Sequence, residues 1–193
     1  SQDGLFDESM MGRSKRIIKE GRTCSYLLHE GEPELRITQN DIRAIQLAKA
    51  ALYAGIRLLM DHLGIEEVQR IRLAGAFGSH IDVKYAMILG LIPDCDLDHV
   101  SSAGNAAGTG ARMALLNHES RREIEETVRK IEKVETAVEP AFQQHFVDAM
   151  AIPHKHAPST HLQKTVSLPE AKNNAQGNGD STSRRRRSKR VAA

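Results

Sequence analysis

The chain has 193 residues, with no tryptophan and few other aromatic residues, which is enough for one ordinary domain with an aliphatic core. Its net charge of +2 is unevenly distributed: residues 151–193 carry +7, which leaves −5 for residues 1–150. Only the basic end therefore favours acidic partners such as nucleic acid. No apolar run approaches the roughly 18 residues of a membrane span, so we expect no membrane contact.

The chain begins without Met and without a basic-plus-apolar leader. We therefore expect it to start in mid-protein and to carry no secretory signal. Cys24 and Cys95 show no paired spacing and are predicted to be reduced thiols of a cytoplasmic protein, although the sequence leaves a disulfide open.

The first half of the chain predicts a loop, two strands and a long helix. Residues 1–23 show no sustained period, and residues 25–29 and 34–38 are strand candidates. A helix over 38–63 is predicted to begin at Thr38 or Asn40 and to end at Gly64. Its apolar stripe is expected to face the core and comprises Ile42, Ile45, Ala48, Leu52, Ile56, Leu59 and Leu63.

The second half alternates short strands with helices. Strands are predicted at 70–74, 97–100 and 134–138, and helices at 82–89, 105–117 and 139–150. A further charged helix is expected to start at Ser120, which forms a capping-box pattern with Glu123. The alternation predicts an α/β layered fold.

Two glycine-rich turns stand out, at 73–78 after a predicted strand and at 104–111 before a predicted helix. Glycine lets a ligand approach the backbone closely, and helix amino termini favour anionic or polar groups. Either turn alone is more often simple punctuation between elements. Together they suggest a nucleotide cleft.

From residue 153 onward, Pro, Ser, Asn, Gly and basic residues dominate, ending in the run Arg184–Arg187. This composition predicts a disordered basic tail and a stable fragment that ends between residues 150 and 156. His154, His156 and His161 alternate in this tail, but a flexible segment lacks metal-site geometry, so we predict no metal site. The predicted divisions are 1–24 (loop or interlobe remnant), 25–152 (folded lobe) and 153–193 (tail).

The segments 37–51, 73–78, 104–111 and 146–150 together resemble one known family. It comprises the ATP-dependent reductive activators of corrinoid proteins, and the resemblance is to their C-terminal region, over about residues 1–156. These proteins belong to the superfamily of acetate and sugar kinases, heat-shock chaperones and actin. The resemblance implies the C-terminal lobe of an actin-like (ribonuclease H-like) ATPase fold.

The resemblance also implies a nucleotide site that uses ATP with magnesium. Gln46 and Lys49, on the polar side of the long helix, are candidates to face adenine, with ordinary solvated helix residues as the alternative. The residues implied to lie against adenosine or to close the site are Gly75, Ala76, Phe77, Gly78, Gly104, Asn105 and Gly108.

The family's acidic phosphate and magnesium motifs have no convincing counterpart in this sequence. Its iron–sulfur domain needs four thiolates for a cluster, whereas this chain has two cysteines. The chain alone is therefore expected to be inactive as an ATPase, with its catalytic residues unknown and a corrinoid protein as its implied partner. The alternative is a non-catalytic binding or dimerisation module whose basic tail contacts acidic partners.

Overall fold

The computed structural model describes residues 3–6, 12–136 and 138–168. The predicted disorder of 169–193, including Arg184–Arg187, lies outside the described residues. Eleven regular elements follow one another in the described part: β1 (Ile17–Glu20), β2 (Thr23–His29), β3 (Leu35–Thr38), α1 (Gln39–Leu63), β4 (Ile71–Ala74), α2 (Val83–Leu89), β5 (Val100–Gly104), α3 (Ala106–Leu116), α4 (His118–Val128), α5 (Pro140–Ala149) and α6 (Leu162–Thr165).

The strands form two sheets. β1, β2 and β3 are antiparallel in that order, with Ser25 opposite Thr38. β4 and β5 are parallel, with Ile71 opposite Val100 and Ala74 opposite Gly104. Because parallel strands need a crossover connection, α2 lies between β4 and β5 along the chain. The predicted α/β class is confirmed.

α1 begins and ends where the sequence predicts. The Thr38 hydroxyl accepts the N–H of Asp41, and the Asp41 carboxylate accepts the N–H of Thr38, so Thr38 rather than Asn40 is the cap. These bonds from Thr38 lower the pKa of Asp41. Gly64 ends the helix in the left-handed conformation, with φ 65°.

The buried face of α1 is not the predicted stripe. Leu52, Leu59 and Leu63 are largely exposed, and Leu63 retains 72% of its accessible surface. The buried positions are instead Gln46, Lys49, Ala50, Tyr53, Ala54, Leu58 and Met60. The reason is tertiary: Ala50 and Tyr53 pack against Ala149, Phe146 and Met150 at the end of α5.

Three local predictions are wrong. Residues 97–100 begin as a short 3₁₀ turn, because the Asp96 side chain accepts the N–H of Asp98, and the strand runs over Val100–Gly104. α4 begins at His118, because the Asn117 side chain accepts N–H groups of Glu119 and Ser120 and caps it earlier. Residues 134–136 and 138 form no strand.

The predicted loop at 1–23 also contains a strand. Ile17 and Ile18 of β1 pair with Tyr26 and Ser25 of β2. Four residues among charged neighbours give too short a pattern to be recognised in the sequence.

The segment 153–168, called here the strap, is folded, so the prediction of disorder from residue 153 is wrong as far as residue 168. Leu162 is 1% exposed and belongs to the core cluster of Ala86, Met87, Ile92, Cys95 and Val100, against which Val166 and Leu168 also pack. The Asp94 carboxylate accepts the N–H groups of His161 and Leu162, at 2.8 and 3.0 Å, and the Thr160 hydroxyl at 3.2 Å. Averaged composition hid this apolar anchor and its capping carboxylate.

Among the helices of the described residues, none combines the length and apolar character needed to cross a membrane.

Candidate nucleotide site at the paired glycine turns

The fold brings the two glycine turns together. β4 leads into the first turn and β5 into the second, and the two strands are parallel neighbours, so both turns lie at the same sheet edge. The N–H of Gly75 donates to the carbonyl oxygen of Gly104 at 2.7 Å. In open α/β sheets, ligands bind outside the carboxyl ends of the strands, which is where these turns lie.

Gly75 and Gly104 are required by their backbone conformation. Their φ angles are 109° and 59°, in the range that L side chains rarely adopt. A Cβ placed on either residue would meet no atom within 4 Å. Space therefore remains open beside the backbone at both turns, and a bound group can approach it there.

Gly78 and Gly108 are required by packing instead. A Cβ on Gly78 would lie 3.0 Å from the Leu73 Cβ and 3.1 Å from its carbonyl oxygen. A Cβ on Gly108 would lie 2.7 Å from the Asn105 side-chain nitrogen. These two glycines let the turns fold tightly on their own residues.

Asn105 fixes the start of α3. Its side-chain oxygen accepts the N–H of Gly108 at 2.9 Å, so it is the N-cap of that helix. In the first turn, residues Phe77–Ser79 form a single 3₁₀ turn, and the Ser79 hydroxyl donates to the Ala76 carbonyl at 2.6 Å. The side chain of Phe77 is outside the described set.

Gln46 and Lys49 lie on the buried side of α1 rather than on a polar, solvated side. The Gln46 amide donates to the carbonyls of Met150 at 2.9 Å and of Asp3 at 3.0 Å. The Lys49 ammonium donates to the carbonyl of Ala151. Both side chains thus hold the end of α5 against α1, and the alternative of ordinary solvated residues is wrong. Their contact with adenine stays a prediction.

Burial lowers the pKa of Lys49 to about 8. Between this value and the ordinary lysine pKa of 10.5, the folded protein binds fewer protons than the unfolded chain. Stability should therefore rise with pH across that window, by at most about 3 kcal/mol. Chemical denaturation of the wild type and of Lys49→Met at pH 7.5 and 10 measures this rise.

The Lys49→Met variant serves as its own control, because other lysines and tyrosines titrate equally in both proteins. We expect the difference in unfolding free energy between variant and wild type to shrink as the pH rises. A difference that stays constant across the window would mean that Lys49 is not held as a buried charge.

The chain's residues fit some of the implied ligands and not others. The open space beside Gly75 and Gly104 fits a group that approaches backbone. No residue of the segments 73–79 and 104–111 is acidic, so the turns offer no carboxylate to magnesium. Cys24 and Cys95 are both free thiols, and two cysteines are too few for a four-thiolate cluster. Within the described ranges, no three His, Cys, Asp or Glu side chains are placed to hold a metal ion.

Comparisons with known proteins agree on one family. The model described as the C-terminal domain of RACo, the ASKHA domain, matches residues 1–163. The corrinoid activation enzyme RamQ of Eubacterium limosum is 41% identical over 116 residues, which are 59% of this chain and 20% of that protein. A solved structure, a reductive activator for corrinoid, iron-sulfur protein, matches with a TM-score of 0.70 and 31% identity, covering 86% of this chain and 27% of that one.

The chain thus spans about a fifth to a quarter of the length of these relatives. The family match reaches residue 163 and so includes most of the strap, in agreement with its packing against the core. With the family model covering most of the chain, the chain belongs to the RACo C-terminal family and has its ASKHA, actin-like fold.

Proposed function

We propose that this chain forms the C-terminal wall of an ATP site in a reductive activator of a corrinoid protein. The observation that carries the proposal is the bond from Gly75 to Gly104, which joins two open glycine turns at the carboxyl ends of β4 and β5. The family supplies the ligand class, because ASKHA domains generally bind ATP with magnesium. We call the complete activator a polypeptide that joins this chain to the other regions of its relatives.

In this proposal the turns bind by their backbone. Gly75, Ala76, Phe77 and Gly78 lie against adenosine, since no Cβ blocks the approach at Gly75. Gly104, Asn105 and Gly108 close the other side, where Asn105 holds the first turn of α3 in place. ATP with magnesium supplies the phosphate chemistry when bound, and the magnesium ligands belong to other parts of the complete activator.

Gln46 and Lys49 have a conditional role in the same site. Their polar atoms are engaged by the carbonyls of Asp3, Met150 and Ala151. Contact with adenine requires at least one of these bonds to open. Nucleotide binding would then be coupled to the connection between α5 and the strap, because these bonds hold its first residues.

The activator's partner and reaction are part of the proposal. RamQ is named a corrinoid activation enzyme, and the solved relative a reductive activator for corrinoid, iron-sulfur protein. By that analogy, ATP binding changes the shape of the complete activator and assists transfer of one electron to an inactive cobalt(II) corrinoid. The iron–sulfur cluster that provides the electron belongs to a region outside this chain, and a homodimer is compatible with the proposal.

We place this function in the cytoplasm, since both cysteines are free, as is typical of a reducing compartment. Nucleic-acid binding is assigned at most to Arg184–Arg187, which lie outside the described residues.

The chain alone should be unable to complete the reaction. We expect purified residues 1–193 to show no ATPase turnover above background and no iron–sulfur absorbance after cluster reconstitution, because one wall binds nucleotide weakly and two thiols hold no cluster. A phosphate-release assay and a visible spectrum measure both. Titration of an ATP analogue should show millimolar binding that tightens in the complete activator.

Sustained turnover by the chain alone would contradict the half-site. Complete absence of nucleotide binding in the complete activator would favour the non-catalytic binding or dimerisation module instead.

A further inference from the structure

A cavity separate from the glycine turns lies between α1, α5 and the strap. Its volume is about 280 Å³, close to the lower end of small-molecule sites. Tyr53 and Met60 of α1, Pro93 after α2, and His154 and His161 of the strap are among its lining residues. No residue of the segments 73–79 or 104–111 lines it.

Most charged groups around this cavity are already paired within the protein. Arg57 bonds to Asp61 at 3.0 Å and to Glu66 at 3.1 Å. The Asp94 carboxylate is taken up by the strap's backbone N–H groups, and Asp148 accepts the Gln144 amide. The cavity therefore offers little free charge to an ion.

Its remaining polar groups are uncharged histidine nitrogens. The Nδ1 atom of His154 accepts the N–H groups of His156, at 3.1 Å, and of Ala157, at 2.9 Å, so this nitrogen carries no proton. Burial, and then the nearby charge of Lys49, lower the pKa of His154 to about 4. The neutral ring must then carry its proton on Nε2, which is a donor.

The second nitrogen belongs to His161, whose Nδ1 is buried without a hydrogen-bond partner among the described residues. Buried polar atoms are rarely left unpaired, so this atom calls for a partner that the chain does not provide. The wall beside these groups is aromatic, because the His154 ring packs on Tyr53 with ring centroids 4.7 Å apart.

We propose that this cavity binds an uncharged, planar nitrogen heterocycle. The ring lies against the Tyr53–His154 pair and presents one acceptor and one donor to the histidine nitrogens, which gives His161 its missing partner. A neutral ligand suits walls whose charges are internally matched, and a flat ring suits the aromatic wall. The proposal is independent of the ATP site, because the cavity shares no residue with the glycine turns.

Azaindole is a suitable probe, since it carries a ring N–H beside a pyridine-type nitrogen, and indole is its matched control without the acceptor nitrogen. Histidine side-chain nitrogen spectra of the labelled chain at pH 7.5 follow each titration. We expect saturable shifts at His154 and His161 with a Kd below about 1 mM for azaindole, and binding of indole at least about tenfold weaker.

The variants His161→Phe and His99→Phe separate the cavity from other surfaces, because His99 is exposed and does not line the cavity. His161→Phe should weaken azaindole about tenfold or more, and His99→Phe should leave it unchanged. If His161→Phe does not fold, the comparison of the two probes on the wild type decides. Shifts that never saturate, or equal affinity for azaindole and indole, would overturn the proposal.

Discussion

Replacing Leu162 by alanine is expected to lower the free energy of unfolding by about 2–5 kcal/mol. Leu162 is 1% exposed and sits in the core cluster that also contains Met87, Ile92 and Val100. The substitution removes buried methyl groups and leaves a cavity that the neighbouring side chains fill only in part. Urea denaturation followed by circular dichroism measures the change.

The matched control is Leu116→Ala, since Leu116 at the end of α3 is 83% exposed. We expect this variant to differ from the wild type by less than about 0.5 kcal/mol. Truncation after residue 152 should destabilise the fold at least as much as Leu162→Ala, because it also removes the strap residues that bond to Asp94. If the truncated chain and Leu162→Ala both keep wild-type stability, the strap does not belong to the fold.

Replacing Gly75 by valine is expected to weaken ATP binding by the complete activator at least tenfold while leaving it folded. The substitution costs about 1–3 kcal/mol in backbone strain, because the φ of 109° is unfavourable for a β-branched residue. No atom lies within 4 Å of the new Cβ, so the structure absorbs the side chain without a clash. The branched side chain instead occupies the space through which adenosine would approach the backbone.

Gly21→Val controls for strain. Gly21 has a φ of 62° and equally open surroundings, but it lies in the β1–β2 turn of the other sheet. Both variants should lose similar stability in thermal melts, and only Gly75→Val should lose affinity for an ATP analogue. Equal affinities in two folded variants would remove the first glycine turn from the nucleotide site.

Local signals in the sequence predicted the element boundaries well. Thr38 with Asp41 marked the start of α1, Asp82 marked the start of α2, and Gly64 and Gly90 marked the two ends. These signals are reliable because each cap is satisfied by atoms within a few residues of it, so no distant contact has to be known.

Features set by distant contacts were missed. The buried face of α1 is chosen by α5, so its most regular apolar stripe is exposed, and Gln46 and Lys49 are buried through bonds to backbone carbonyls about a hundred residues away. The strap is another example. Its polar composition predicted disorder, but the single anchor Leu162 and the carboxylate of Asp94 fold it onto the core.

The candidate site was predicted from the two turns and the family resemblance, and the fold brings those turns into direct contact. The sequence could not show why each glycine is needed. Gly75 and Gly104 are required by positive φ angles, whereas Gly78 and Gly108 are required by close contacts with Leu73 and Asn105. Only the first pair leaves open space beside the backbone, so these two are the sharper targets for mutation.

Hydrogen exchange of the complete activator with and without ATP and magnesium tests the shared nucleotide site most directly. The proposal predicts that ATP slows exchange in residues 73–79 and 103–109 together, because the Gly75–Gly104 bond makes them one surface. The β1–β2 turn at Gly21 should be unaffected. Unchanged exchange in both glycine turns under saturating ATP would contradict the proposal that they line the site.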